Sequence, residues 1–175
     1  MFPYNSGGIV ICGFPGVGKS FLAKQHPEHV IDLDSSSFSK LSTGEVNPLW
    51  PQNYVVAIRE HLRNFSMVLV STHREIRSIL AQNKINFVIV MPSMDQKEEY
   101  MSRYRQRVGH PLSLDVIDKN WKLFIGDCLS DRNTMQIAIL SPGQTLVDFL
   151  EEVSDPVGQV CGSLLTDVDP SVIIP

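Results

Sequence analysis

The run Gly13-Phe14-Pro15-Gly16-Val17-Gly18-Lys19-Ser20 carries the most specific chemistry in the chain. A glycine, four residues, a second glycine, lysine and then serine form the spacing that cradles phosphates. The glycines reach backbone angles closed to other residues and let the chain approach an anion closely. Backbone N–H groups then face the anion, and the helix start adds positive partial charge. Lys19 is expected to reach the β- and γ-phosphates of ATP or GTP, and the Ser20 hydroxyl to ligate Mg2+.

Asp32 and Asp34 follow a short apolar run and stand two apart, so on one strand they share a face. Ligands of parallel sheets bind outside the carboxyl ends of the strands. One carboxylate is therefore read as orienting magnesium through water, and the other as orienting or deprotonating an acceptor hydroxyl. The alternative is that both cap the turn at Ser35-Ser36-Ser37. Thr72 and His73 follow another apolar run and are candidates for touching the acceptor; His73 reads equally well as a plain helix start. Phe38, Trp50 and Tyr54 offer rings that either stack a base or fill the core.

Arg103, Arg105 and Arg107 crowd one helical stretch. Arg103 and Arg107, four apart, share a face, and the guanidinium fork suits phosphate. The competing reading is a solvated helix laced by pairs such as Glu99–Arg103.

These residues need a scaffold, and the apolar runs supply one. Gly8–Cys12, His29–Asp34, Met67–Val70, Phe87–Met91 and Met135–Leu140 read as strands, mostly without alternation, as in sheets buried on both faces. Lys19–Gln25, Gln52–Asn64, Arg74–Gln82, Asp95–Arg107, Leu114–Leu129 and Thr145–Val153 read as helices. Ser35–Pro51, broken by Gly44, Pro48 and Pro51, reads as a loop. Strands alternating with helices predict an α/β fold with a parallel sheet. The 175 residues suit a single domain, expected over 1–153, with 154–175 a tail of no clear period.

Charged residues make up 19% and the net charge is −4, an ordinary globular composition that disfavours a nucleic-acid-gripping surface. The three cysteines lack metal or disulfide spacing, which suggests reduced thiols and a cytoplasmic setting. No run has the ~20 apolar residues of a membrane span, and the first residues lack signal-peptide features.

GFPGVGKS followed by VIDLDSSSF resembles the small P-loop kinases of the nucleoside monophosphate kinase-like class, with shikimate and gluconate kinases. NPLWPQNY, VLVSTHREIR and EEYMSRYRQR look like nucleotide-kinase-type proteins of bacteriophages; a phage-encoded chain would work in the host cytoplasm. The resemblance spans about Gly8 to Leu150. It implies the P-loop NTPase three-layer sandwich, with five parallel strands ordered 2-3-1-4-5 and a helical lid, here about 94–112. It also implies that Arg103 and Arg107 are the lid cations that neutralise the migrating phosphoryl group, and that 132–142 borders the adenine. That class often carries an acidic magnesium partner near the third strand. Here that strand ends in Ser71 and Thr72, which leaves Asp32 for the part and Asp34 as the group expected to orient or deprotonate the acceptor.

The expected activity is an ATP- and Mg2+-dependent kinase with a nucleotide or nucleoside acceptor. Two carboxylates favour a hydroxyl acceptor, whereas the phage-type pieces favour a nucleoside monophosphate. A kinase acting on a polynucleotide end or a modified base is the second reading. A nucleotide-dependent switch or NTPase is the third: it lacks the guanine motif N/T-K-x-D and the acidic end of the third strand. A degenerate binding module fits poorly with Lys19 and Ser20 both present.

Overall fold

The computed structural model describes residues 8–106 and 114–154. Five strands form one all-parallel sheet: β1 Ile9–Gly13, β2 Val30–Asp32, β3 Met67–Ser71, β4 Phe87–Pro92 and β5 Gln136–Leu140. Their order is β2-β3-β1-β4-β5, the order that the resemblance implies. β1 sits centrally, with Gly13 beside Ser71 on one flank and Val90 on the other. Val10, Val68, Leu69, Val70, Phe87 and Ile89 are fully buried, which explains why these strands read as unbroken apolar runs.

Seven α-helices lie among the described residues: α1 Lys19–Gln25, α2 Ser36–Ser39, α3 Gln52–Asn64, α4 Arg74–Gln82, α5 Lys97–Arg105, α6 Leu114–Leu129 and α7 Leu146–Ser154. The β1-to-β2 connection runs toward one edge of the sheet, and the later crossovers run toward the other. Right-handed crossovers therefore put α1 on one face and α3, α4 and α6 on the opposite one. α1 touches α7, and α4 is tied to α6 through Arg77. Loops leaving adjacent strands for opposite faces open a crevice at the carboxyl end of β1.

Two elements differ from the reading of the sequence. The segment expected to be a loop over 35–51 contains the single-turn α2, whose first residue, Ser36, donates its N–H and hydroxyl to the Asp34 carboxylate. The helix expected over 95–107 begins as a 3-10 turn at Met94–Gln96, held by a Ser93–Gln96 capping box, and its α-helical part starts at Lys97. On α3 the apolar pair Val55-Val56 is split, with Val55 buried and Val56 53% exposed. Tyr54, Val55 and Ile58 define the inward face, and a 100° step turns Val56 away from it. Arg107, the lid beyond 106 and the 155–175 stretch of the tail lie outside the described residues.

Candidate functional site

The loop from Gly13 to Ser20 leaves β1 and enters α1. Gly16 and Gly18 hold φ of +83° and +103°, a left-handed region that costs other residues strain. A side chain on Gly13 would meet Lys19 Cγ and Cδ at 2.8 Å. Lys19 Nζ donates to the carbonyl of Gly13 at 2.7 Å and, more weakly, to that of Phe14 at 3.4 Å. The ammonium is thus folded back onto the start of the loop.

Ser20 Oγ donates to Asp32 Oδ2 at 2.6 Å. The first turn of α1 and the last residue of β2 therefore place a hydroxyl and a carboxylate in contact beside the loop. Two hard oxygen donors on neighbouring elements fit the way magnesium is held, with the remaining positions left to water and phosphate. Among the described residues no cluster of three or more His, Cys, Asp or Glu forms a closed metal cage.

Not every residue of the loop faces outward. The Phe14 N–H donates to the Val90 carbonyl at 2.8 Å, so it is not available to an anion. Its ring is buried edge-on to Tyr100 and Trp121, with centroids 6.3 and 5.4 Å away. Phe14 anchors the loop in the core. The Val17 carbonyl accepts from Leu146 N at 2.7 Å, which ties the loop to the start of α7.

α5 braces the loop from outside. Tyr104 OH donates to the Pro15 carbonyl at 2.6 Å, and Arg103 Nη1 donates to the Gly16 carbonyl at 3.2 Å. Arg103 also pairs with Glu99, donates to the Gln144 carbonyl at 3.1 Å, and lies 4.7 Å above the Tyr100 ring. Glu99 in turn accepts from Gly143 N at 3.1 Å. Arg103 thus joins α5, the phosphate-type loop and the β5–α7 turn, and it does include the Glu99 pair that a solvated helix would show. Burial raises the Tyr100 phenol to about 12.

The two aspartates part company. β2 ends at Asp32, so Asp34 does not share a strand face with it. Both Asp34 oxygens accept from Ser36, one from its N–H at 2.9 Å and the other from its hydroxyl at 2.7 Å. This exposed carboxylate holds its own turn. Phe38 and Trp50 pack on Tyr54, with centroids 5.0 and 5.5 Å from its ring, and Trp50 Nε1 donates to Glu75. These rings fasten the 36–50 segment to α3.

Thr72 and His73 line a different space. A cavity of about 490 Å³ lies between Phe14 and Pro15 of the loop, Thr72 to Arg74 after β3, and α6. Its α6 wall carries Val116, Ile117, Leu123 and Phe124, with Asp127 below. His73 is an exposed residue at the cavity rim; crowding by the cavity walls, and then the Lys19 ammonium, lower its imidazole from the usual 6.5, while Glu75 and Asp34 pull the other way. Asp34 and Phe38 stand outside this cavity.

Sequence reasoning missed Arg77. It is 2% exposed, donates through Nε to the Thr72 carbonyl at 2.9 Å, and forks onto Asp127 and Asp131 of the α6 end. This fixes the end of β3 against α6, and so the cavity's shape. Its sequence signal was absent, because its partners lie some 50 positions away. Tyr100 and Tyr104 were missed as well: their i,i+4 spacing on α5 is the signal that could have found them, but the charges around them mask it. Burial raises the thiols of Cys12 and Cys128, the latter to about 11, which makes both poor nucleophiles.

Among the described residues no helix is long and apolar enough to cross a membrane. In comparisons with known proteins, no family model and no curated protein matches the chain.

Proposed function

We propose that the protein is an ATP- and magnesium-dependent phosphotransferase with the P-loop NTPase sandwich fold, acting on a nucleotide- or nucleoside-type acceptor. The observation that carries this reading is the 2.6 Å Ser20–Asp32 contact beside a glycine-strained loop whose lysine lies against its first carbonyls. Ser20 and Asp32 would hold magnesium, which supplies charge neutralisation along the phosphates when bound. Lys19 would swing from the Gly13 carbonyl to the β- and γ-phosphate oxygens. Loop N–H groups would orient the phosphate chain, and Phe14 keeps the loop seated while they do so.

Arg103 suits a bracing part in this state, since its guanidinium already serves Gly16, Glu99 and Gln144. Release of the Glu99 pair on closure would free one edge of the fork for phosphate. Arg107, outside the described residues, remains the other proposed lid cation.

The test is ADP release from Mg-ATP with nucleosides, nucleoside monophosphates or DNA oligomers added. The reading expects one acceptor to stimulate turnover strongly, and Lys19→Ala to remove that stimulation. Slow hydrolysis indifferent to every acceptor would instead favour an NTPase.

A further inference from the structure

We infer that the acceptor occupies the cavity between the loop residues Phe14 and Pro15, the end of β3 and α6, and that His73 takes the proton from its hydroxyl. The inference rests on the kinase reading and goes further by naming the site, the acceptor's chemistry and the base.

Four observations converge on it. The cavity's volume of about 490 Å³ falls within the range of small-molecule sites. Its α6 wall presents Val116 and Leu123, which are 49% and 65% exposed and lie seven residues apart on one helix face. Large apolar groups left uncovered beside Phe124 and the Phe14 ring suit a planar, apolar body. The third observation fixes which end of the triphosphate the cavity meets. The motif lysine serves the β- and γ-phosphates, and its ammonium rests on the carbonyls of Gly13, which pairs with Ser71 two residues before His73, and of Phe14, which lines the cavity. The cavity therefore opens at the γ end, where an acceptor must enter, and not at the adenine end.

Charge decides the acceptor's class. Arg74 Nε lies 3.8 Å from Asp127 Oδ1, and the Asp127 and Asp131 carboxylates also take the Arg77 fork. Among the described residues that line the cavity, the single guanidinium, Arg74, already faces Asp127, which disfavours a phosphate-bearing acceptor. A neutral, ring-bearing alcohol of nucleoside size fits. Such an alcohol, unlike a phosphate, must lose a proton as it attacks. Asp34 has both oxygens engaged by Ser36. The His73 imidazole lines the cavity, and its surroundings favour the neutral form. The charged groups that act on it are Lys19 of α1, Glu75 of α4 and Asp34 of the β2–α2 turn, with Arg74 its chain neighbour and Asp127 of α6 across the cavity.

In the step, the acceptor oxygen forms its bond to the γ-phosphorus as the bond from that phosphorus to the β–γ bridging oxygen breaks. The hydroxyl proton passes to a His73 ring nitrogen, and the nucleoside diphosphate departs with the electron pair.

The experiment uses the full chain with Mg-ATP, the four 2′-deoxynucleosides and their 5′-monophosphates. It adds NMR titration of the His73 ring, which reads the site independently of turnover. The inference expects transfer to a nucleoside, with a rate that falls as pH drops through a value below 6.5. His73→Gln lowers kcat about 10²- to 10⁴-fold and removes that limb, while the KM for Mg-ATP stays within a few-fold. Leu123→Trp, at an exposed position, raises the nucleoside KM at least tenfold. Nucleoside addition shifts the His73 resonances. Transfer that ignores both substitutions, or that is confined to monophosphates, overturns this inference and leaves the kinase reading standing. Loss of the limb in Asp34→Asn in place of His73→Gln also overturns it. No transfer to any acceptor, with no nucleoside shift at His73, overturns both.

Discussion

The Ser20 hydroxyl donates to Asp32 Oδ2 at 2.6 Å, joining the first turn of α1 to the end of β2. A serine that already points at a carboxylate needs little rearrangement to share a cation with it.

Asp32→Asn keeps a hydrogen-bond acceptor but removes the pair's one negative charge. The expected result is a 10- to 100-fold rise in the magnesium concentration needed for nucleotide binding. Titration of magnesium against a fluorescent ATP analogue reads this directly, and an unchanged midpoint would remove Asp32 from the metal site.

Gly16 and Gly44 both have φ near +85°, at +83° and +87°, yet they differ in surroundings. A side chain at Gly16 would meet Tyr104 Cε1 at 2.9 Å, whereas nothing lies within 4 Å at Gly44. Both alanine substitutions carry left-handed strain of about 1–2 kcal/mol. Gly16→Ala must also push aside the Tyr104 ring that braces the loop. Urea denaturation should therefore show a larger loss for Gly16→Ala, with weakened ATP binding in that variant alone.

Arg77 is the buried cation of the fold, forked onto Asp127 and Asp131. Arg77→Met leaves two carboxylates without their partner in a partly dry site. The expected loss is about 3–5 kcal/mol, seen as a lower denaturation midpoint at pH 7. Arg77→Met with Asp127→Asn and Asp131→Asn should recover part of that loss, because no unpaired charge remains.

Several exposed carboxyls titrate low. Asp148 is held below its usual 3.8 by hydrogen bonds from the Thr145 hydroxyl and N–H; Asp95 is lowered by Ser93, and Asp118 by Lys97. A depressed folded pKa means the unfolded chain binds the proton more tightly. Their contribution is present above about 4 and fades as pH falls below it. Thermal melts from pH 6 to pH 2.5 should show a decline below pH 4 that is shallower in Thr145→Val, which lacks the hydroxyl donor.

Unbroken runs such as Met67–Val70 made the strands legible, because a sheet covered on both faces needs apolar residues at every position. Helices α3, α4 and α6 were legible from their stripes and from the breakers around them. What escaped was non-local. Arg77 sits beside Ile76 on a helix whose pattern gives no hint that its partners arrive from α6. Asp34 looked like a partner of Asp32 until β2 stopped short of it. The phosphate-type loop was plain from spacing alone. The brace from Tyr104 and Arg103 was not, since a helix rich in charge reads as solvated until a backbone carbonyl is found opposite it.

The most direct test of the central claim is the fate of label from γ-labelled ATP in the presence of magnesium and the nucleoside panel. The account predicts that label leaves ATP and is recovered on an acceptor, and that Lys19→Ala prevents this. Label recovered only as inorganic phosphate, at a rate no acceptor changes, would contradict it.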